Sequence, residues 1–416
     1  MEAPYNLQAT IAQLSQGEVP DSEELLSQLS VGIEFLTDFW REQYLASFIK
    51  SGGSTIKFVT GRAGSGKSHT LKLLRSIARD EGYVTVNFSA RDVWLHDFRA
   101  FYLEILTKAD ITALLFDCAR AIIIDMGYDP DQIEEGATFL DYLAQHGQAD
   151  GLTRWEIRNQ LRRMFLNNPR MDNNFSLACS LLCGSMLGHP TLEEANEELL
   201  LAWLHGDQQI RMTQLRPLGL APSKVTKYNA RNLLRSLCEL VVQGGHSGLV
   251  VTVDNLEVLV DSSGMNPLHY TKMRREDTYE SIRQLIDDID TIEHAMVVFS
   301  FDRALLDNEN KGLKSYQALW MRIQNEVVSE RINKFSDVID LDKVAAQVYT
   351  PALLIEMSEK LASVVGRINV QAQVFDEETA NRLIAQAKTG SVSLPRLVNR
   401  MTLGFIAEEV DDELQS

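Results

Sequence analysis

An α/β fold built on a parallel sheet is predicted by three features of this 416-residue chain. Three β-branched apolar runs, Thr55–Thr60, Leu249–Val253 and His294–Phe301, have the unbroken hydrophobicity of strands buried on both faces. The first run passes through a glycine-rich turn into a helical segment carrying Leu71, Leu73, Leu74 and Ile77. Long stretches with apolar residues every three or four positions separate and follow the strands, so helices supply the outer layers. Length sets an expectation of two or three domains, and a composition of 45% hydrophobic and 24% charged residues is that of a soluble globular protein.

The elements follow in order. Residues 1–30 read as a lead-in in which DSEELLSQLS offers an N-cap and an acidic first turn. Residues 31–345 form the predicted core. It opens with a helix, VGIEFLTDFWREQYLASFI, then the first strand, the glycine turn and its helix, and a second strand at Tyr83–Phe88. From about 101 to 240 the pattern is helical almost throughout, punctuated at Gly127, Pro130, Gly151, Pro169 and Pro190, and reads as a large helical insertion between the second and third strands. The core resumes with the strand at Leu249, a long helix through SIRQLIDDID, the strand at His294, and a last strand near Ser336–Leu341. Residues 346–416 are expected to form a C-terminal helical lid or winged-helix-like domain ending in the acidic EEVDDELQS.

The glycine turn carries the chemistry. GRAGSGKS, at Gly61–Ser68, matches G-x-x-x-x-G-K-[ST], and it lies between a strand and a helix, the context a P-loop requires. Gly61, Gly64 and Gly66 allow the backbone N–H groups to turn inward around phosphates, and the following helix offers the positive end of its dipole. Arg62, Ala63, Ser65 and His69 complete the expected nucleotide-contacting segment. Lys67 would reach the β and γ phosphates of ATP, and Ser68 would ligate Mg2+. The bland alternative, an ordinary glycine loop, does not account for the flanking strand and helix.

A P-loop needs a carboxylate at the end of a second buried strand. The run Leu249–Val253 ends at Asp254, the predicted second holder of Mg2+. In AAA+ and related P-loop groups the next residue is usually a Glu that polarises the attacking water. Here it is Asn255, whose carboxamide cannot accept a proton, and the remaining acid is Glu257. Either Glu257 takes the role in a different geometry or hydrolysis of ATP to ADP and phosphate is slow; a solvated helix-start carboxylate is its plain alternative. Ser300, at the end of the third strand with Asp302 just beyond, is the candidate sensor of the γ-phosphate. The whole is an AAA+/ASCE-like P-loop NTPase pattern.

Composition removes several other classes. No apolar run approaches the roughly 18 residues needed to span a bilayer, and the N-terminus lacks a basic head with an apolar run, so a cytoplasmic location with no membrane partner is expected. The four cysteines, Cys118, Cys179, Cys183 and Cys238, are too few and scattered for a disulfide framework and read as buried thiols. Eight dispersed histidines, with no H-x-x-x-H or Cys/His cluster, set aside a metal-dependent hydrolase. A formal net charge of −18 argues against a protein that coats nucleic acid over its whole surface, while leaving a local basic face open. Two segments fit one. Arg154, Arg158 and Arg162 fall at i, i+4 and i+8, and six basic residues with no acidic one (Arg211, Arg216, Lys224, Lys227, Arg231, Arg235) lie in 211–235. Each could contact DNA or RNA phosphates, or neutralise acidic neighbours or a partner protein. Arg322 and Arg331 are placed to complete an ATP site from a neighbouring subunit of a homo-oligomer, and Arg396 or Arg400, one turn apart in SVSLPRLVNRM, to lean onto the nucleotide from a lid.

Taken in order, SVGIE, FVTGRAGSGKSHTLKLL, LHDF, KVTKYNARNLLRSL, GGHSGLVVTVDNLE, YESIRQLIDDID and SLPRLVNR cover most of residues 30–400. In these motifs the chain resembles the P-loop ATP-binding proteins of bacterial BREX anti-phage systems (BrxD-like), distant relatives of ORC/Cdc6-type AAA+ proteins. It departs from the usual family pattern at Ser68, where Thr is common, and at Asp254-Asn255-Leu256-Glu257, where D-E-x-E is usual. The resemblance implies a defence component encoded beside partners, often a helicase, with ATP controlling assembly on DNA or on a partner. A related helicase-containing operon of the Shango type fits equally well. Two alternatives remain: an ATP-dependent scaffold that acts through protein contacts without turnover, which Asn255 favours, and a STAND-like sensor, which the missing repeat and effector domains disfavour.

Overall fold

The computed structural model describes residues 13–14, 22–328, 333–366, 372–390 and 392–404. Five parallel strands, β1 (Ser54–Gly61), β2 (Val84–Ser89), β3 (Leu249–Asp254), β4 (Ala295–Asp302) and β5 (Val338–Asp340), form one sheet in the order β2-β3-β4-β1-β5. β4 therefore lies between the glycine-turn strand and the Asp254 strand, the place expected for a strand bearing a polar sensor. Every residue of β1 is buried, which is why its sequence is a continuous apolar run rather than an alternation. The exception is Lys57. Its ammonium is fully buried, but it donates to Tyr44 Oη (2.8 Å), the carbonyls of Phe335 and Ser336, and Asp337 Oδ1 (2.7 Å), so the charge is paired and its donors are used.

Separate apolar clusters pack on the two faces of the sheet. One joins Ile56, Phe58, Phe88, Val251 and Phe299 to the helical insertion. The other joins Val59, Val250, Met296 and Val298 to Trp40, Leu71 and Leu74. Between β2 and β3 stand helices Phe98–Lys108, Ile111–Asp125, Phe139–Gln145, Gly151–Leu161 (continued by a π turn, Arg162–Leu166), Asn173–Leu187, Glu194–Leu204 and Ala230–Gln243. The expectation of nearly continuous helix fails across 205–229, which holds only the short 3-10 turns Met212–Gln214 and Arg216–Leu218. Gly206 and Gly219 adopt positive φ there, and Pro217 and Pro222 withhold backbone donors.

Beyond β5 the described residues are helical: Leu341–Val348, Pro351–Gly366, Glu377–Thr389 and Leu394–Thr402. Among the described residues of this region no strand follows Asp340. Its apolar cluster includes Leu354, Leu383, Leu397 and Val398. Ser22 caps helix Glu23–Leu29 by accepting from the Leu25 N–H, as the DSEELLSQLS pattern anticipates. The final EEVDDELQS, most of the lead-in and Arg331 lie outside the described residues. All four cysteines are buried and free, and burial pushes their thiols up. Among the described residues no helix is long and apolar enough to cross a membrane.

Candidate functional site

The carboxyl ends of β1, β3 and β4 converge on the glycine turn, the crevice where open parallel sheets bind ligands. Gly64 (φ +76°) and Gly66 (φ +95°) take left-handed conformations that glycine adopts freely. A Cβ on Gly66 would project into open space within 4 Å, so the loop leaves a hollow rather than a packed turn. Gly66 is also the N-cap of helix Lys67–Asp80, and it supplies no side-chain acceptor for the helix's first N–H groups. Those donors and the helix dipole face the hollow, which makes it an anion cradle. The Ser65 hydroxyl, packed against Gly61, is buried with no hydrogen-bond partner among the described residues.

Lys67 Nζ folds against the loop, donating to the Gly61 carbonyl (2.8 Å) and the Arg62 carbonyl (3.0 Å), and lies 3.5 Å from Asp302 Oδ2. Asp254 sits at the centre of a small network. Its Oδ2 accepts from Ser68 Oγ at 2.6 Å, and its Oδ1 accepts from the Ser300 hydroxyl and the Asn255 N–H. Ser68 and Asp254 thus present two oxygens side by side, the donor set a hard divalent cation takes. Behind Asp254 stands Arg75, which bonds Asn87 Oδ1 and Thr252 Oγ1, both at 2.9 Å. Burial lowers the pKa of its guanidinium, and the Asp254 carboxylate opposes that shift.

Asn255 and Glu257 diverge. Asn255 adopts a left-handed conformation (φ 60°, ψ 38°), and its Nδ2 donates to Ser89 Oγ on β2 (3.2 Å). Left-handed backbone favours Asn over Glu at this position, a conformational reason for the departure from D-E-x-E. Glu257, in the 3-10 turn Leu256–Leu259, accepts from the Asp302 N–H (3.0 Å) and pairs with Arg91 (3.1 Å). It is therefore a carboxylate in the first turn of a helix, as its plain alternative has it, but one held by Asp302 and Arg91.

The C-terminal region reaches the loop twice. Arg62 is tied through its N–H (2.8 Å) and Nε (3.2 Å) to Asp342, and through its guanidinium to the carbonyls of Gly390 (2.6 Å) and Ala387 (3.3 Å), at the end of helix Glu377–Thr389. The Arg396 side chain covers Gly64 so closely that a Cβ there would lie 2.6 Å from it. Next to the cradle opens a cavity of about 200 Å³, walled by Val31, Ile33, Tyr349, Met357, Leu361 and Pro395. His69 lines it, bonded to Ser30 Oγ at 2.8 Å. That hydroxyl donates its one hydrogen to the Leu26 carbonyl, so His69 Nε2 is the donor. Burial, then nearby Lys72, lower the His69 pKa to about 4.

Of the residues singled out from sequence, the loop from Gly61 to His69 gathers with Asp254, Glu257, Ser300 and Arg396, while Asn255 turns its side chain to β2. Arg322 is occupied elsewhere, donating through Nε and one terminal nitrogen to Asp287 (2.8 and 2.9 Å). The basic 211–235 segment is divided. Arg235 bonds backbone carbonyls, Arg231 stacks on Phe98 and Lys224 bonds the Gln208 carbonyl, whereas Arg211, Arg216 and Lys227 are exposed. Sequence reasoning did not assign Arg91, Asp302 or Asp342 to the site. Asp302 had a usable signal, since it ends a buried strand as Asp254 does; Arg91 lies on a connection and Asp342 in the first turn of helix Leu341–Val348, and only the fold reveals that they reach the site.

The family model described as BREX system ATP-binding protein BrxC/D matches residues 4–406. Neither the curated proteins nor the solved structures provide a match.

Proposed function

Because the chain belongs to the BREX system ATP-binding protein BrxC/D family, we propose that it is an AAA+-like ATPase of anti-phage defence. In this reading, nucleotide state controls self-assembly and engagement of DNA or a helicase partner in the cytoplasm. One observation carries the nucleotide chemistry: Asp254 is shared by the Ser68 and Ser300 hydroxyls beside an anion cradle that holds Lys67. The cradle N–H groups and Lys67 bind the phosphates, and the apolar cavity beside His69 receives the base. Ser68 and Asp254 hold Mg2+, which supplies charge neutralisation when bound. Ser300 reports on the γ-phosphate side through Asp254, and Arg396 adds positive charge from the lid. Glu257 orients and deprotonates the attacking water once Arg91 releases it.

The Arg91–Glu257 pair also favours a second reading, an ATP-gated scaffold that does not hydrolyse, because Glu257, the acid proposed as the base, is engaged. Steady-state ATP turnover of wild type, Lys67→Ala and Glu257→Gln, with and without double-stranded DNA and with oligomeric state recorded, separates the two. Turnover in wild type that both variants lose supports the ATPase. ATP-driven assembly without turnover supports the scaffold. Unchanged nucleotide binding by Lys67→Ala refutes the assignment of the site.

A further inference from the structure

Helix Gly151–Leu161 buries Ile157 and Leu161 and turns its other side to solvent. On that side stand Arg154, Arg158 and Arg162, all exposed. Trp155, among them, is 54% exposed, and Asn159 lies in the same surface. The arginines recur every four residues, about 6 Å apart along the axis. Elsewhere in this chain of net charge −18, exposed Arg163 pairs with Asp125, Arg170 with Glu293 and Arg322 with Asp287. Arg154, Arg158 and Arg162 have no carboxylate partner among the described residues. Their field is felt locally, since His189 has its pKa lowered by burial first and then by Arg158 and Arg154.

Like charges one turn apart on a helix repel modestly, by about 0.2–0.5 kcal/mol per pair, and a row with regular spacing suits a repeating anion better than a single one. Guanidiniums match phosphate geometry in pairs of hydrogen bonds. The exposed indole adds a second requirement. A duplex keeps its base faces stacked, whereas an unpaired strand presents them to an aromatic platform. From this juxtaposition we propose that the Arg154/Trp155/Arg158/Arg162 face binds single-stranded nucleic acid, the arginines on successive phosphates and Trp155 stacked on a base. The proposal deepens the reading that the protein engages DNA, and it does not depend on ATP hydrolysis.

Fluorescence anisotropy of a labelled oligo(dT) tests it, using full-length wild type, an Arg154→Ala/Arg158→Ala/Arg162→Ala triple variant, Trp155→Ala and Trp155→Phe, titrated over a salt series. All four positions are exposed, and thermal melts check that each variant folds. Loss of three phosphate contacts lowers the slope of log affinity against log salt by about 2. Trp155→Ala weakens binding roughly fivefold to a hundredfold at unchanged slope, and Trp155→Phe restores most of it. A matched duplex binds more weakly than oligo(dT). Lys67→Ala, run beside them, separates the two ideas: if it binds oligo(dT) like wild type with or without ATP, nucleotide control of engagement fails while the face stands. The face is refuted if oligo(dT) does not bind at 50 mM salt, or if the triple variant binds with wild-type affinity and slope. The first result would leave the face to a protein partner.

Discussion

Replacing Asn255 by Glu recreates the acid pair common in AAA+ proteins, and the geometry predicts that it harms the protein instead of accelerating it. Asn255 lies at φ 60°, ψ 38°, a left-handed conformation that costs an ordinary L-residue about 1–2 kcal/mol and that Asn tolerates. The substitution also removes the 3.2 Å bond from Nδ2 to Ser89 Oγ, which contributes about 1 kcal/mol. Together these predict a loss of roughly 2–3 kcal/mol, read as a lowered urea midpoint at unchanged slope. The new carboxylate would also approach β2 and the Ser89 hydroxyl, while Glu257 already occupies the space next to Asp302. Turnover is therefore expected to stay at or below the wild-type rate. An Asn255→Glu protein of wild-type stability, or one with raised turnover, would falsify the conformational explanation and restore the view that Asn255 is a simple loss of the base.

Two further predictions concern the loop's surroundings. Arg62→Ala removes the side-chain ties from the P-loop to Asp342, Ala387 and Gly390 while keeping the backbone N–H bond to Asp342, so hydrogen exchange across helix Glu377–Thr389 should quicken at least tenfold, given about 1.5–3 kcal/mol for each charged hydrogen bond; unchanged exchange there refutes the coupling. His69 holds its proton less tightly folded (pKa about 4) than unfolded (6.5), so the unfolded state binds more protons between those values and stability falls as pH drops from about 6.5 toward 4. His69→Gln should flatten that part of the profile measured by denaturant midpoints at pH 7.5, 6 and 5, and a variant that follows the wild-type curve refutes it.

Much of this architecture was legible from local signals. β1, β3 and β4 announce themselves as β-branched runs because parallel strands are covered on both faces, and the cradle is fixed by glycines whose conformations other residues resist. Asp254 and Ser300 were readable because each stands at the end of such a strand. Arg396 and Arg400 stood as alternatives in the sequence, one turn apart after Pro395, and only the fold shows that the Arg396 side chain sits on Gly64. What escaped has a common cause. Arg91 meets Glu257 across 166 positions and Arg62 meets Asp342 across 280, pairings that no periodicity encodes. The open stretch at 205–229 escaped for a different reason. Its scattered leucines imitate helical spacing, but Leu215 and Leu220 are buried from an irregular path against the helical insertion.

The strand order has a temporal meaning as well. β1 is flanked by β4 and β5, so a ribosome that has released the P-loop must still make more than 230 residues before either neighbour of β1 exists. Arg396, which closes over Gly64, follows the loop by about 330 residues, some twenty seconds to a minute of synthesis at roughly 5–20 residues per second. Until β4 is made, a strand destined for burial along its whole length waits unpaired, and a chain that stops before Arg396 cannot assemble the finished loop surroundings.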